Sequence, residues 1–238
     1  MYILGINAFH GDSSACLIKD GVVVCATEEE RIRRIKHWAG FPSEAIKFCL
    51  DEEGITIEMI DHITISRNPK INLLKKILYV FKNPLSILSA LQRFINSTHV
   101  VSIKKELELI FGIPSVKIKA EIHSIEHHRS HIGSSFFASS FKNSAILSID
   151  GFGDFTSTMT ALGSQNKFKI LKEINYPHSL GIFYTTVTQF LGFPNYGDEY
   201  KVMGLATYGK PKYLKELEKI IYITDNGSFK LNKKFFKH

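Results

Sequence analysis

From residue 2 onward, the spacing of apolar positions predicts sheet first and helix second. Tyr2 to Asn7 is apolar and β-prone, and Ala15 to Ile18 and Val22 to Thr27 follow it around Lys19-Asp20-Gly21, a tight-turn tripeptide. Three adjacent antiparallel strands are expected. Pro42 and Ser43 then open a stretch with apolar residues at Ala45, Ile46, Cys49 and Leu50, one face of a helix that stops at Gly54. Ile60 to Ser66 reads as a further strand. Strands joined through a helix to another strand begin an α/β layer architecture.

Residues 70 to 112 carry helical spacing with breaks at Asn83-Pro84 and near Ser97, and are expected to form an inserted helical subdomain. Val116 to Ile125 returns to strand, His128 to Ser139 to helix, and Ser144 to Ile149 to an apolar strand ending in Asp150-Gly151-Phe152-Gly153. Ser157 to Leu162 and Phe168 to Tyr176 predict two more strands, and Leu180 to Leu191, Glu199 to Tyr208 and Tyr213 to Ile221 predict helices. Asp225 to Ser228 is hairpin-like, with little chain left for a second strand. Strands that end in Gly- and Asp-rich turns suit a fold whose polar site lies along the strand ends.

Composition narrows the class without changing this picture. The chain has 238 residues, 44% of them apolar, enough for one substantial core or one lobe of a larger domain. Its formal charge of +7 is spread along a helical segment and the C-terminus, a solvated face rather than a nucleic-acid surface. Cys16, Cys25 and Cys49 form neither a CxxC pair nor a secreted-domain spacing, and Met1 leads directly into a strand with no signal-like segment. A reducing, cytoplasmic setting is expected. Leu73 to Ile95 is interrupted by Lys82, Pro84, Gln92 and Arg93, so no membrane partner is expected.

Candidate chemistry gathers in four places. In Glu126-His127-His128-Arg129-Ser130-His131, both His127 with His131 and His128 with His131 fall within one helical turn, a spacing open to cation binding and equally to hydrogen-bonded histidines. Asp150, at the end of an apolar strand, is either a third ligand or a turn residue preparing Gly151. The small polar loop Asn7 to Ser14 can meet a phosphate with its amides, and His10 within it has the basicity to accept a proton from a hydroxyl, though a loop histidine is also commonly just solvated. Glu28 to Arg34 reads as a solvated charged helix, after which Lys36 and His37 precede Gly40 and Pro42 where a loop could aim them at an anion. In Glu199 to Ala206, Gly204 implies close packing or backbone approach to a ligand.

Taken in order, these pieces resemble one family. His10-Gly11-Asp12-Ser13, Glu29-Glu30-Arg31, Lys36-His37, Gly40-Phe41-Pro42, Glu126 to His131, Asp150-Gly151-Phe152-Gly153-Asp154, Ser179 to Tyr184, Leu191-Gly192-Phe193 and Glu199 to Ala206 are similar to the ordered motifs of the O-carbamoyltransferases that modify nodulation factors, cephamycins and aminoglycosides. The resemblance implies an actin-like ATPase fold of ribonuclease H-like type. It also implies transfer of a carbamoyl group to a hydroxyl of a small molecule or sugar from carbamoyl-adenylate, itself made from carbamoyl phosphate and ATP by a following domain. Carried over by motif, His127, His131 and Asp150 hold a divalent Fe, Mn or Zn. His10 and Asp12 serve transfer, and Lys36, His37, Gly151, Gly153, Lys201 and Gly204 bind substrate or nucleotide.

Trp38, Phe155 and Thr207 depart from the residues common in that pattern. The resemblance also implies a second lobe and an activating domain beyond this length. Residues 1–224 are then expected to be the N-terminal lobe, 225–238 the start of a following segment, and the chain a fragment that needs its C-terminal half as partner. A non-catalytic remnant of the same fold and a tRNA threonylcarbamoyl-transfer-like protein are the alternative readings.

Overall fold

Asp20 and Gly21 both take positive φ, 51° and 84°, the pair of left-handed residues that a two-residue hairpin needs to match the twist of its strands. That turn joins β2 (Ser14–Lys19) to β3 (Val22–Glu28), and β2 also pairs antiparallel with β1 (Tyr2–Asn7). The computed structural model describes residues 1–82 and 103–236. Its chain divides into two units, Met1–Glu126 and His127–His238.

In the first unit, α1 (Glu29–Arg33) and α2 (Ser43–Glu53) lead back to β4 (His62–Ile65), which runs parallel to β1. β5 (Glu121–Ser124) adds in parallel at the edge, and the sheet order is β3-β2-β1-β4-β5. Strand alternation sends Leu4, Ile6, Ala15, Leu17, Ile63 and Ile65 to one face, where they join Ala45, Ile46, Cys49 and Leu50 of α2 in one buried core. Each such aliphatic side chain contributes roughly 1.5–3 kcal/mol by leaving water. α2 ends at Gly54, whose φ of 67° and N–H bonds to the last carbonyls form a left-handed cap.

Two helices from the expected helical subdomain are described, α3 (Leu73–Lys82) and α4 (Ile103–Phe111), the latter placing Ile103 and Leu107 in the same core. The expected breaks at Asn83-Pro84 and near Ser97 lie outside the described residues. The strand expected over Val116 to Ile125 is shorter than its apolar pattern: a 3-10 turn occupies Ser115–Lys117, and pairing begins only at Glu121.

The charged segment Glu28 to Arg34 is not simply a solvated helix. Glu29 is fully buried, and its carboxylate accepts the N–H groups of Glu44 (3.1 Å) and Ala45 (2.7 Å) while pairing with Arg33 Nε at 2.5 Å. The start of α2 lacks a side-chain cap of its own, so Glu29 satisfies amides the helix leaves unpaired. Periodicity marks charge, not which carboxylate a neighbouring helix needs.

The second unit begins with α5 (His127–Phe137) and continues through the antiparallel meander β6 (Asn143–Gly153), β7 (Thr156–Ser164) and β8 (Lys167–Asn175). Ile132 and Phe136 of α5 pack on Ile146, Met159 and Ala161, and the Phe136 ring lies over Gly163, where a Cβ would come within 2.5 Å of it. α6 (Leu180–Phe190), α7 (Glu199–Ala206) and α8 (Leu214–Leu217) follow. The helix expected over Tyr213 to Ile221 is thus cut short, because Ile221 starts β9 (Ile221–Ile223), which pairs with β10 (Phe229–Leu231). That second strand, of which the sequence promised little, closes a hairpin through Gly227 at φ 71°. No helix among the described residues is long and apolar enough to cross a membrane.

Candidate functional site

The cluster in the second unit is built by one helix start and one irregular strand end. The pairing of β6 with β7 shifts register between Ile149 and Gly153, an irregularity that frees the Asp150-Gly151-Phe152 segment from a regular ladder. The turn that follows places Asp154 and Phe155 at positive φ, 50° and 82°. There Asp154 Oδ2 accepts the N–H of His127 at 3.0 Å and so satisfies one of the first amides of α5.

His127 Nε2 stands 2.7 Å from Asp150 Oδ2 and 3.0 Å from His131 Nε2, and His131 Nε2 is 3.5 Å from the same carboxylate oxygen. Two imidazoles one turn apart and the strand-end carboxylate therefore converge, and the three donor atoms could hold one ion. Two imidazole nitrogens and a carboxylate oxygen are a donor set that would suit a divalent transition-metal ion. Hydrogen bonding from His127 and then His131 holds the Asp150 carboxyl well below the usual carboxylate range, so this carboxylate is ionised at neutral pH.

The choice that spacing left open is made by burial. His128 is fully buried, with Nδ1 2.7 Å from Ser148 Oγ and Nε2 3.1 Å from the Thr156 carbonyl oxygen. Nε2 must donate to that carbonyl, and Nδ1 then accepts from the serine hydroxyl. Burial lowers the His128 pKa, and the ring is a neutral strut rather than a member of the triad.

Gly153, expected to bind substrate or nucleotide, and two residues without an assigned role, Ser179 and Gly181, support the triad. Gly153 is required by space, since a Cβ there would lie 2.0 Å from the His127 ring. Ser179, fully buried, caps α6 by accepting the Ile182 N–H at 3.1 Å and reaches the Gly151 carbonyl at 2.7 Å. A Cβ on Gly181 would meet the Asp150 carbonyl at 2.6 Å. A serine just before an apolar helix is a readable capping signal; the glycine approaches are not visible without coordinates.

Lys201 pairs with Asp198 Oδ1 at 2.7 Å, and nothing lies within 4 Å of where a Gly204 Cβ would be. Close packing among the described residues therefore does not account for that glycine. A Cβ on Gly151 would make only an ordinary contact with Ile182, at 3.6 Å.

In the first unit, His10 is exposed with Nδ1 3.0 Å from the Gly11 carbonyl oxygen. Ser13 Oγ ties the loop by donating to the Gly40 carbonyl at 2.7 Å. Two segments far apart in sequence meet here: Asp12 Oδ1 lies 2.8 Å from His37 Nδ1, and the His37 N–H donates to Glu30 Oε2 at 2.8 Å. Asp12 and His37 both have positive φ, 63° and 55°, a conformation costly for residues with a Cβ that the surrounding bonds must hold. Lys36 is exposed beside them in sequence.

The sequence matches the family described as Carbamoyltransferase N-terminus over residues 2–238. An uncharacterized protein of Synechocystis sp., sll1178, is 37% identical over 243 residues, covering 100% of this chain and 40% of that protein. Nodulation protein NolNO of Sinorhizobium fredii is 35% identical over 232 residues, covering 94% of this chain and 32% of its own length. The chain thus spans less than half the length of these curated relatives. Among solved structures, YeaZ from Pseudomonas aeruginosa is 10% identical with a TM-score of 0.39, covering 74% of this chain and 68% of that one. At that score the likeness decides nothing about this chain.

Proposed function

We propose that this chain, which belongs to the Carbamoyltransferase N-terminus family, is the part of a carbamoyltransferase that passes a carbamoyl group from carbamoyl-adenylate to a hydroxyl of a small-molecule or sugar acceptor. The observation that carries the reading is the convergence of His127, His131 and Asp150 on one point from a helix and a strand end. A divalent cation bound there would supply positive charge for the phosphate of a mixed anhydride.

In this reading the base is His10. With Nδ1 donating to the Gly11 carbonyl, the His10 lone pair would lie on Nε2, the nitrogen to which this reading assigns the acceptor's proton. As that proton leaves, the acceptor oxygen bonds to the carbamoyl carbon, the bond from that carbon to the adenylate oxygen breaks, and AMP departs with the electron pair. Asp12 and Glu30 hold His37 in its strained position beside this loop, where His37 and Lys36 bind anionic substrate. What supports an actin-like lobe is the strand order β3-β2-β1-β4-β5, with three antiparallel strands followed by two parallel ones.

The test joins this chain to the remaining length of a longer relative and follows pyrophosphate release and carbamoylated product separately. His10→Asn is expected to slow product formation about a hundredfold while pyrophosphate release from ATP and carbamoyl phosphate persists. Unchanged product formation would remove His10 from the mechanism.

A further inference from the structure

On the first unit's sheet, two imidazoles and a carboxylate meet that the carbamoyl-transfer reading does not use. The parallel register sets His62 of β4 opposite Glu121 of β5, and Thr64 opposite His123. His62 therefore lies on the opposite face of β4 from the buried Ile63 and Ile65, and Glu121 and His123 project from alternate positions of β5 on that same side. The two imidazole side chains are about one-third exposed, 34% and 36%, and Glu121 is 70% exposed, so an ion in solvent can reach all three. Among the described residues, the polar contacts of these side chains are with one another.

The distances separate two explanations. His62 Nδ1 and His123 Nε2 are 3.0 Å apart, which a single N–H shared between neutral rings would explain. That bond leaves Glu121 unaccounted for: its Oε2 is 3.8 Å from each nitrogen, too far to accept a hydrogen bond from either. Equal separation has a geometric meaning. A triangle with sides of 3.0, 3.8 and 3.8 Å has a point about 2.1 Å from every corner, and about 2.0–2.2 Å is the bond length of Zn(II) to imidazole nitrogen and carboxylate oxygen. The three atoms are spaced as one ion would need them.

We propose that His62, Glu121 and His123 form a zinc-binding clip that ties the edge strand β5 to β4. Two imidazoles and one carboxylate are a borderline donor set that favours Zn(II) over Mg(II) or Ca(II), which take oxygen ligands. A solvent water would complete a four-coordinate ion. The clip has a structural use, because β5 has four residues and, among the described residues, hydrogen-bonds to a neighbouring strand on one side only. Joining the two strands through side chains resists fraying of a ladder only four residue pairs long. The site stands independently of the triad in the second unit.

Zinc binding to the full 238-residue chain carrying His127→Ala and His131→Ala tests it, since that background removes two ligands of the other triad. One equivalent of Zn(II) should remain bound, and the melting temperature should rise on adding Zn(II). Adding His62→Gln and His123→Gln should weaken binding at least tenfold and abolish that rise. No zinc uptake in the background chain, or equal uptake after the added replacements, would overturn the proposal. Should either multiple variant fail to fold, Glu121→Gln at its exposed position in the otherwise unchanged chain decides the matter. It should lower the zinc stoichiometry by one or weaken one site at least tenfold, and an unaltered titration would overturn the clip. Failure of the other triad shows differently, as identical metal content in the unchanged chain and the His127→Ala, His131→Ala chain.

Discussion

A Cβ added to Gly153 would lie 2.0 Å from the imidazole of His127, so the backbone at the end of β6 and the first side chain of α5 occupy one space that only glycine leaves free. Gly153→Ala should displace the His127 ring and reduce metal content to the level of the His127→Ala, His131→Ala chain. Metal analysis of the three purified proteins checks this, and Gly153→Ala holding as much metal as the unchanged chain would contradict it.

Neighbouring histidines should respond in opposite ways. His128→Ala leaves a buried hydroxyl and carbonyl without their ring partner, and should cost about 3 kcal/mol in urea unfolding while metal content stays unchanged. His127→Ala should lose metal with a smaller stability change. Equal effects of the two replacements on both readouts would show that burial does not divide their roles.

Glu29→Ala should destabilise the protein by about 3 kcal/mol, because it strands the N–H groups of Glu44 and Ala45 and removes the nearer of the two carboxylates beside Arg33. Arg33→Ala should cost less, as those amides keep their acceptor. Urea unfolding of both variants gives the comparison, and an exposed-glutamate effect of a few tenths would refute the buried role.

Ser179→Ala should cost about 1 kcal/mol through the lost cap of α6 and should also loosen the Gly151 carbonyl it holds. Weaker metal affinity accompanying the stability loss is the expected result, read by zinc titration; a pure stability loss would sever the link between cap and triad.

Burial pushes the Cys49 thiol up, and its Sγ lies 3.7 Å from the Ala15 carbonyl oxygen within the core. Cys49 should react with a thiol reagent only as fast as the protein unfolds. Mass spectrometry of the labelled peptides checks it: labelling of Cys49 at the rate of the half-buried Cys25 in folded protein would be the contrary outcome.

The sequence alone determined what depends on local pattern. Alternating apolar residues marked β1 to β3, Asp20-Gly21 marked their turn, and helical spacing with Gly54 marked α2 and its end, because these signals act over a few residues. The order of motifs also sufficed to place the chain in the Carbamoyltransferase N-terminus family. Tertiary structure decided what depends on atoms brought together from distant segments. HxxxH spacing could not choose between His127 and His128, since both face within one turn of His131; the choice came from Ser148 and Thr156, which enclose His128, and from the register shift that sets Asp150 against His127. Glu29 looked solvated because its partners, the first amides of α2, lie about fifteen residues away. His62, Glu121 and His123 gave no signal along the chain at all: strand pairing, a relation between segments about sixty residues apart, is what puts three ordinary polar positions on one face around one point.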